Sequence, residues 1–221
     1  MFRKLFIITA IFISMFTCTA SANDPYYQMG QNIGNSLGAA LAQGQANKGD
    51  VEKSFYYDDK FSLKPVKKIL YFMEFPPETI SLIDEPSISL ILMQMIDNEA
   101  KEKENYKLFS LRDASMRYIK LHPEDKDLSN PECMDRFINF TKETMDALLT
   151  VKVLSYNSYG STSNVKLDYY ISPMNNLDYD FFIYSESRTK VIGKNKSKVL
   201  KIINNHFFDK LDESYEKSYK N

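Results

Sequence analysis

The chain has 221 residues, 43% of them apolar, 26% charged and 14% aromatic, and its 28 Lys and Arg against 29 Asp and Glu leave a net charge of −1. A chain this apolar and aromatic is not disordered throughout. Its balanced charge gives no global attraction for nucleic acid or acidic lipid, and two cysteines are too few for a disulfide scaffold.

Residues 1–22 read as a secretory signal peptide. Arg3 and Lys4 supply a positive start, Leu5 to Phe16 is apolar apart from Thr9 and Ser14, and Ala20-Ser21-Ala22 offers a small-residue cleavage site before Asn23. The apolar run is short for a membrane span of about 20 residues. Met15-Phe16-Thr17 before Cys18 is a poor lipoprotein signal. Cleavage removes two cations and no acid, so the remaining chain carries −3 and one thiol, Cys133. The reading is an exported protein, periplasmic or outer-membrane-associated or secreted onward.

Residues 23–50 form a separate leader, because five of the seven glycines fall between 30 and 49. Gly30, Gly34 and Gly38 make one four-residue row, and Met29, Ile33, Leu37 and Leu41 make another. On a helix each row is a stripe, and glycines at that spacing let a second backbone approach closely. Gly30, Gly34, Gly38, Ile33 and Leu37 are therefore candidate partner-binding residues, and 26–45 is a candidate membrane-associating stretch. The competing reading is a flexible leader, since Gly costs about 1 kcal/mol per helical site.

Residues 51–221 read as one α/β domain: a mixed sheet of about five strands in the order β-α-β-α-β-β-β-α. Val66 to Phe75 is apolar enough for a buried strand and ends at Pro76-Pro77. Pro86 suits a helix start, and the run from Ile88 to Ile96 makes that helix mostly buried. Tyr106 to Leu111 is a short strand, and 121–130 is a polar loop. Asn130-Pro131 pairs an N-cap with a first-turn proline, and Met134, Phe137, Ile138, Thr141, Met145 and Leu148 follow at helical spacing. Leu148 to Tyr156 is a third strand, 157–163 a turn, and Val165 to Ile171 a half-buried fourth strand. Tyr179 to Tyr184 is a fifth, resuming over 189–192. Ser197 opens a last helix whose apolar face is Val199, Leu200, Ile203, Phe207 and Leu211.

Three of these stretches carry a resemblance. Val66-Lys-Lys-Ile-Leu-Tyr-Phe resembles the opening strand, Met145-Asp-Ala-Leu-Leu-Thr-Val-Lys-Val is similar to the helix-to-strand passage, and Val165 to Ile171 with Tyr179 to Ser185 resembles the following hairpin, of the α/β domain found in CsgG, in the N-terminal part of TolB and in LpoB-type activators of penicillin-binding proteins. The pattern spans 66–211. It departs from that domain where Val151 or Lys152 replaces a glycine and where a closing Trp is absent. The resemblance implies a scaffold, adaptor or secretion-accessory role near the bacterial outer membrane, with no catalytic residue to carry over.

Chemistry-bearing residues are sparse. A Cys133 nucleophile needs a base, His206 or His122, and an electropositive setting. Its neighbours Glu132 and Asp135 oppose that, and an inert, partly buried thiol is the simpler reading. Two histidines and one thiol, widely spaced, do not make a zinc site. The acidic loop 124–132 lacks the ligand order of a calcium loop, which leaves a solvated loop. No phosphate-binding glycine loop exists, and neither a cofactor nor a small-molecule substrate is indicated. Tyr156 and Tyr159, beside a turn, are candidate surface contacts, since exposed tyrosines add contact area at low entropy cost. The reading is a non-enzymatic binding or assembly accessory with a protein partner or a second copy of itself. A small hydrolase using Cys133 and a structural protein self-assembling through Gly30, Gly34 and Gly38 remain as alternatives.

Overall fold

The computed structural model describes residues 49–83, 87–192 and 196–220. The signal peptide, the glycine stripe and the leader up to residue 48 lie outside the described residues. The described chain builds one six-stranded mixed sheet with helices on both faces. Its strands are β1 (Asp50–Tyr57), β2 (Lys68–Glu74), β3 (Lys107–Ser110), β4 (Ala147–Tyr159), β5 (Thr162–Pro173) and β6 (Phe182–Ile192). Its helices are α1 (Ile88–Ala100), α2 (Leu111–Leu121), α3 (Pro131–Thr144) and α4 (Lys196–Lys220). The strand order is β1-β6-β5-β4-β2-β3. β3, β2 and β4 are parallel, while β4, β5, β6 and β1 are antiparallel.

The two halves of the sheet follow from two kinds of sequence. β2 is apolar at every central position because both its faces are covered. Ile69, Tyr71 and Met73 pack toward α1 and α4, whereas Leu70 and Phe72 pack toward α2 and α3. β5 alternates instead: Val165, Leu167, Tyr169 and Ile171 are buried under α4, while Lys166, Asp168 and Tyr170 lie half-buried on a face that no described helix covers. Asp146, between α3 and β4, ties the halves together. Its Oδ2 accepts from the Lys67 and Lys68 amides at 2.8 and 2.7 Å and so sets the start of β2 beside the start of β4.

Four expectations are corrected. The strand β1, expected only as domain sequence, is a sheet edge, and its exposure along nearly the whole length removes the alternation that signals a strand. The helix α2 occupies 111–121, where the sequence suggests only a strand end and the approach to a loop. Its Ser110 caps Asp113 at 3.0 Å, and Leu111, Ala114 and Tyr118 are buried at the helical spacing i, i+3, i+7, a short period that the sequence reading passed over. The 157–163 turn shrinks to Gly160-Ser161, with Gly160 at φ 59°, the left-handed turn conformation that glycine favours. Finally β6 is continuous, and its apparent break is a bulge at Lys190, whose φ is 55° and whose amide donates to Asn164 Oδ1 at 3.0 Å.

The last helix matches its expected apolar face, with Val199, Leu200, Ile203, Phe207 and Leu211 all buried. Ser197 lies inside its first turn and not ahead of it. The Phe207 ring stacks on Tyr169 at 4.1 Å and meets Phe182 edge-on at 5.8 Å. At its far end Tyr215 donates to the Val66 carbonyl at 2.7 Å, and Ser218 Oγ accepts from the Leu63 amide at 2.9 Å. Replacing Phe207 by Ala removes the central ring of this layer and is expected to destabilise the domain by about 3–5 kcal/mol. A urea midpoint unchanged from that of the parent would contradict this packing.

Candidate functional site

β1 lies beyond α4 at the sheet margin, and the register with β6 decides what it offers. Val51, Lys53 and Phe55 sit opposite Arg188, Glu186 and Tyr184, on the α4 side of the sheet. Glu52, Ser54 and Tyr56 face the open side, opposite Ser187, Ser185 and Ile183. Gly49 starts this run because a Cβ there would stand 2.2 Å from the Thr189 carbonyl oxygen. Between β1 and α4 runs a groove of about 290 Å³, lined on one side by Lys53, Ser54 and Phe55 and on the other by His206, Asp209, Lys210 and Glu213.

A buried carboxylate underlies the groove. Glu186 is fully buried, and four groups converge on it. Arg188 Nε donates at 2.6 Å and Tyr184 donates its hydroxyl. His206 Nδ1 lies at 2.9 Å and Lys53 Nζ at 3.5 Å. Burial opposes the Glu186 charge, but the bonds from Tyr184, His206 and Arg188 outweigh it and hold the carboxyl below its ordinary range. Burial, then the bond to Glu186, pushes the Tyr184 hydroxyl upward. Lys53 Nζ also stands 3.0 Å from His206 Nδ1. The ionised carboxylate favours the tautomer in which Nδ1 carries the proton and donates to Glu186. Lys53 then bonds to the carboxylate rather than to the ring. Saturated with donors and sealed from solvent, Glu186 holds β6, β1 and α4 together and is not placed to act as a base on a solute. Above it, Phe55 packs edge-on to Phe182 at 5.3 Å, and the Lys210 ammonium stands 5.9 Å from the Phe55 ring centre. The groove thus presents an exposed ring beside the Lys210 cation along a sheet edge, with Asp209 and Glu213 on the same helix wall, an arrangement suited to binding.

The sequence candidates fall elsewhere. Gly30, Gly34, Gly38, Ile33 and Leu37 lie outside the described residues. Tyr156 is no surface contact: it is fully buried, its hydroxyl 3.1 Å from Ser197 Oγ. The cause is a bulge between Val153 and Ser155, which adds one residue and turns Tyr156 to the same inward face as Val153. Tyr159, past it at the hairpin tip, is 84% exposed. Cys133 is buried, 3.5 Å from Arg136 Nη2. Burial first, then Asp125, pushes its thiol upward, the reverse of what a nucleophile needs. The acidic loop is not wholly solvated. Asp125 is buried, accepts from Arg136 Nε at 2.9 Å and from Nη2 at 2.5 Å, and also from Tyr118. The Arg136 bonds, with that of Tyr118, hold its carboxyl well below the usual range. The His122 ring packs tilted against Tyr118 at 4.7 Å, and His206 pairs with Glu186.

Sequence reasoning missed Lys53, Tyr184, Glu186, Arg188 and Lys210. A signal existed: Phe182, Tyr184, Glu186 and Arg188 share one parity, so a continued strand puts a carboxylate and a guanidinium on the inward face.

No family model and no curated protein matches the chain. Among solved structures it is similar to the PelC dodecamer from Paraburkholderia phytofirmans, at TM-score 0.45 and 8% identity over 69% of this chain and 90% of that one. It is similar to lipoprotein GNA1162 from Neisseria meningitidis, at TM-score 0.40 and 12% identity over 66% and 99%. It is also similar to the hypothetical protein CT253 from Chlamydia trachomatis, at TM-score 0.39 and 9% identity over 71% and 99%.

Because Glu186 titrates lower when folded than when unfolded, its contribution to stability is complete above the unfolded value of about 4.3 and is lost as pH falls through the folded value. Glu186→Gln is therefore expected to be less stable than the parent at pH 7 and to lose less further stability between pH 5 and pH 3. Parallel stability profiles for the two proteins would remove Glu186 from this role. Native Cys133 is expected to react with a disulfide reagent at pH 7 at least about tenfold more slowly than a free cysteine. A faster rate would reopen its use as a nucleophile.

Proposed function

We propose that the chain is a non-enzymatic, exported protein of the bacterial envelope that binds other protein chains through the β1 edge and the groove beside it. One observation carries this reading: β1 is an eight-residue edge strand, exposed at every position but the last, with Val51, Phe55 and Tyr56 among its exposed side chains. Such an edge offers a row of backbone donors and acceptors for strand addition, and its alternate side chains supply specificity. A protein with no need for this contact would be expected to shorten or cover the strand. The 1–22 signal peptide supports export, and the 23–50 leader would act as a tether that raises the effective concentration of a weak edge contact. The inward Cys133 and the sealed Glu186 support the absence of catalysis.

The test is a photo-reactive phenylalanine analogue placed at Phe55, and at Leu121 on α2 as control, in the full chain expressed in its native cells. A discrete adduct from position 55 in the envelope fraction, with none from 121, is the expected result. No adduct from 55, or equal adducts from both, would sink the edge-binding reading.

A further inference from the structure

No described strand pairs with the outer edge of β1, where the sheet begins. We propose that a second copy of the chain sits there: β1 pairs with its own twin, antiparallel about Ser54, and joins two six-stranded sheets into one. The proposal rests on the reading of β1 as a protein-binding edge and names the occupant.

The register follows from the strand itself. In a two-fold antiparallel pair, opposite residues point to the same face of the sheet. Side chains alternate in direction, so the axis has to pass through a residue and not between two. The eight residues of β1 then allow two registers that pair seven of them. One is centred on Lys53 and sets the two Lys53 ammonium groups directly opposite each other, a destabilising like-charge pair. The other is centred on Ser54 and pairs residues 51–57 without any like-charge pair. It sets Val51 against the partner's Tyr57, Glu52 against the partner's Tyr56, and Lys53 against the partner's Phe55.

The side-chain chemistry fits that second register. Lys53 and Phe55 lie on the α4 side, at the groove, so the partner's Phe55 comes to rest by Lys53 at the groove mouth. Each Phe55 ring then lies between Lys210 of its own chain and Lys53 of the other, extending a cation–ring contact that one copy already makes at 5.9 Å. Ser54, small and on the open face, allows the close approach at the axis. β1 is, within 51–57, its own complement.

The experiment uses the full chain with Cys18→Ser, leaving buried Cys133 as the one other thiol. In the Ser54-centred pair the two Ser54 Cα atoms stand about 4.5–5.5 Å apart, within reach of a disulfide. Ser54→Cys is expected to convert most of the protein to a covalent dimer under mild oxidation. Glu52→Cys, whose twin lies four residues along at about 13 Å, is expected to stay unlinked. Sedimentation is expected to give a dimer for the parent at tens of micromolar and a monomer for Val51→Asp/Phe55→Asp. A monomeric parent, together with a Ser54→Cys variant that stays unlinked, overturns the proposal. So does linkage from Lys53→Cys in place of Ser54→Cys, or a dimer indifferent to the double substitution. If the second copy fails while photo-reactive position 55 still yields an adduct of another mass, edge binding stands and only its occupant is wrong. If neither appears, both fall.

Discussion

The stacking of Phe207 on Tyr169 is where the two ends of the fold meet. One ring belongs to the last helix and the other to the middle of the antiparallel strands, with their planes 8° apart and their centres at 4.1 Å. Around that pair Phe182, Tyr184 and Phe208 close in at tilted or edge-on angles. No other described helix lies over β5 and β6, so the burial of Val165, Leu167, Tyr169 and Ile171 depends on α4 lying across them. The position of α4 in turn decides which part of the sheet is left uncovered. It stops short of β1, and the strip between helix and edge strand becomes the groove.

Polar groups fix that position where apolar packing does not. Burying a carboxylate is costly unless it is paired and hydrogen-bonded, and Glu186 is tolerated because Arg188, Tyr184, His206 and Lys53 all reach it. Those four donors come from β6, α4 and β1, so satisfying one charge aligns three elements. The other end of α4 is set by Asp212, which accepts from Tyr106 at 2.9 Å and from Lys103 at 2.8 Å, and by the Tyr215 bond to Val66. On the opposite face Asp125 plays a similar part for α2 and α3, drawing Tyr118 and Arg136 onto one carboxylate. Among the described residues, which hold no disulfide, tyrosine hydroxyls on carboxylates are thus the recurring link between elements.

The distribution of cover over the sheet separates structure from surface. The parallel half is sandwiched, and its residues are taken up by packing. Among the described residues the antiparallel half is covered by a helix on one face only, and its margin carries exposed Val51, Phe55 and Tyr56 beside charged Lys53 and Lys210. The groove sets an exposed ring and a cation beside a buried, fully paired carboxylate. Its one buried acid is neutralised by its neighbours, and the one described thiol lies elsewhere, in the α2 and α3 layer.

Much of this was legible in the sequence by itself, and the boundary has physical causes. A continuous apolar run fixed β2, because a strand buried on both faces cannot alternate, and the alternation of Leu149, Val151 and Val153 with Thr150 and Lys152 fixed β4. The Asn130-Pro131 cap and the five-residue stripe of α4 fixed those helices, because caps and period are local properties. The mixed α/β class and the C-terminal helix followed from these. Only the tertiary structure decided the rest. β1 has no alternation, since an edge strand has little to bury, so its pairing with β6 is invisible until the sheet is assembled. Bulges at 153–155 and at Lys190 shift parity by one residue, which buries Tyr156 and keeps Val191 in the core, and parity cannot be counted through an unseen bulge. The groove joins residues 53–55 to residues 206–213, more than 150 positions apart. What brings them together is the return of the chain after β6 as a helix lying over β5 and β6, beside the edge strand β1.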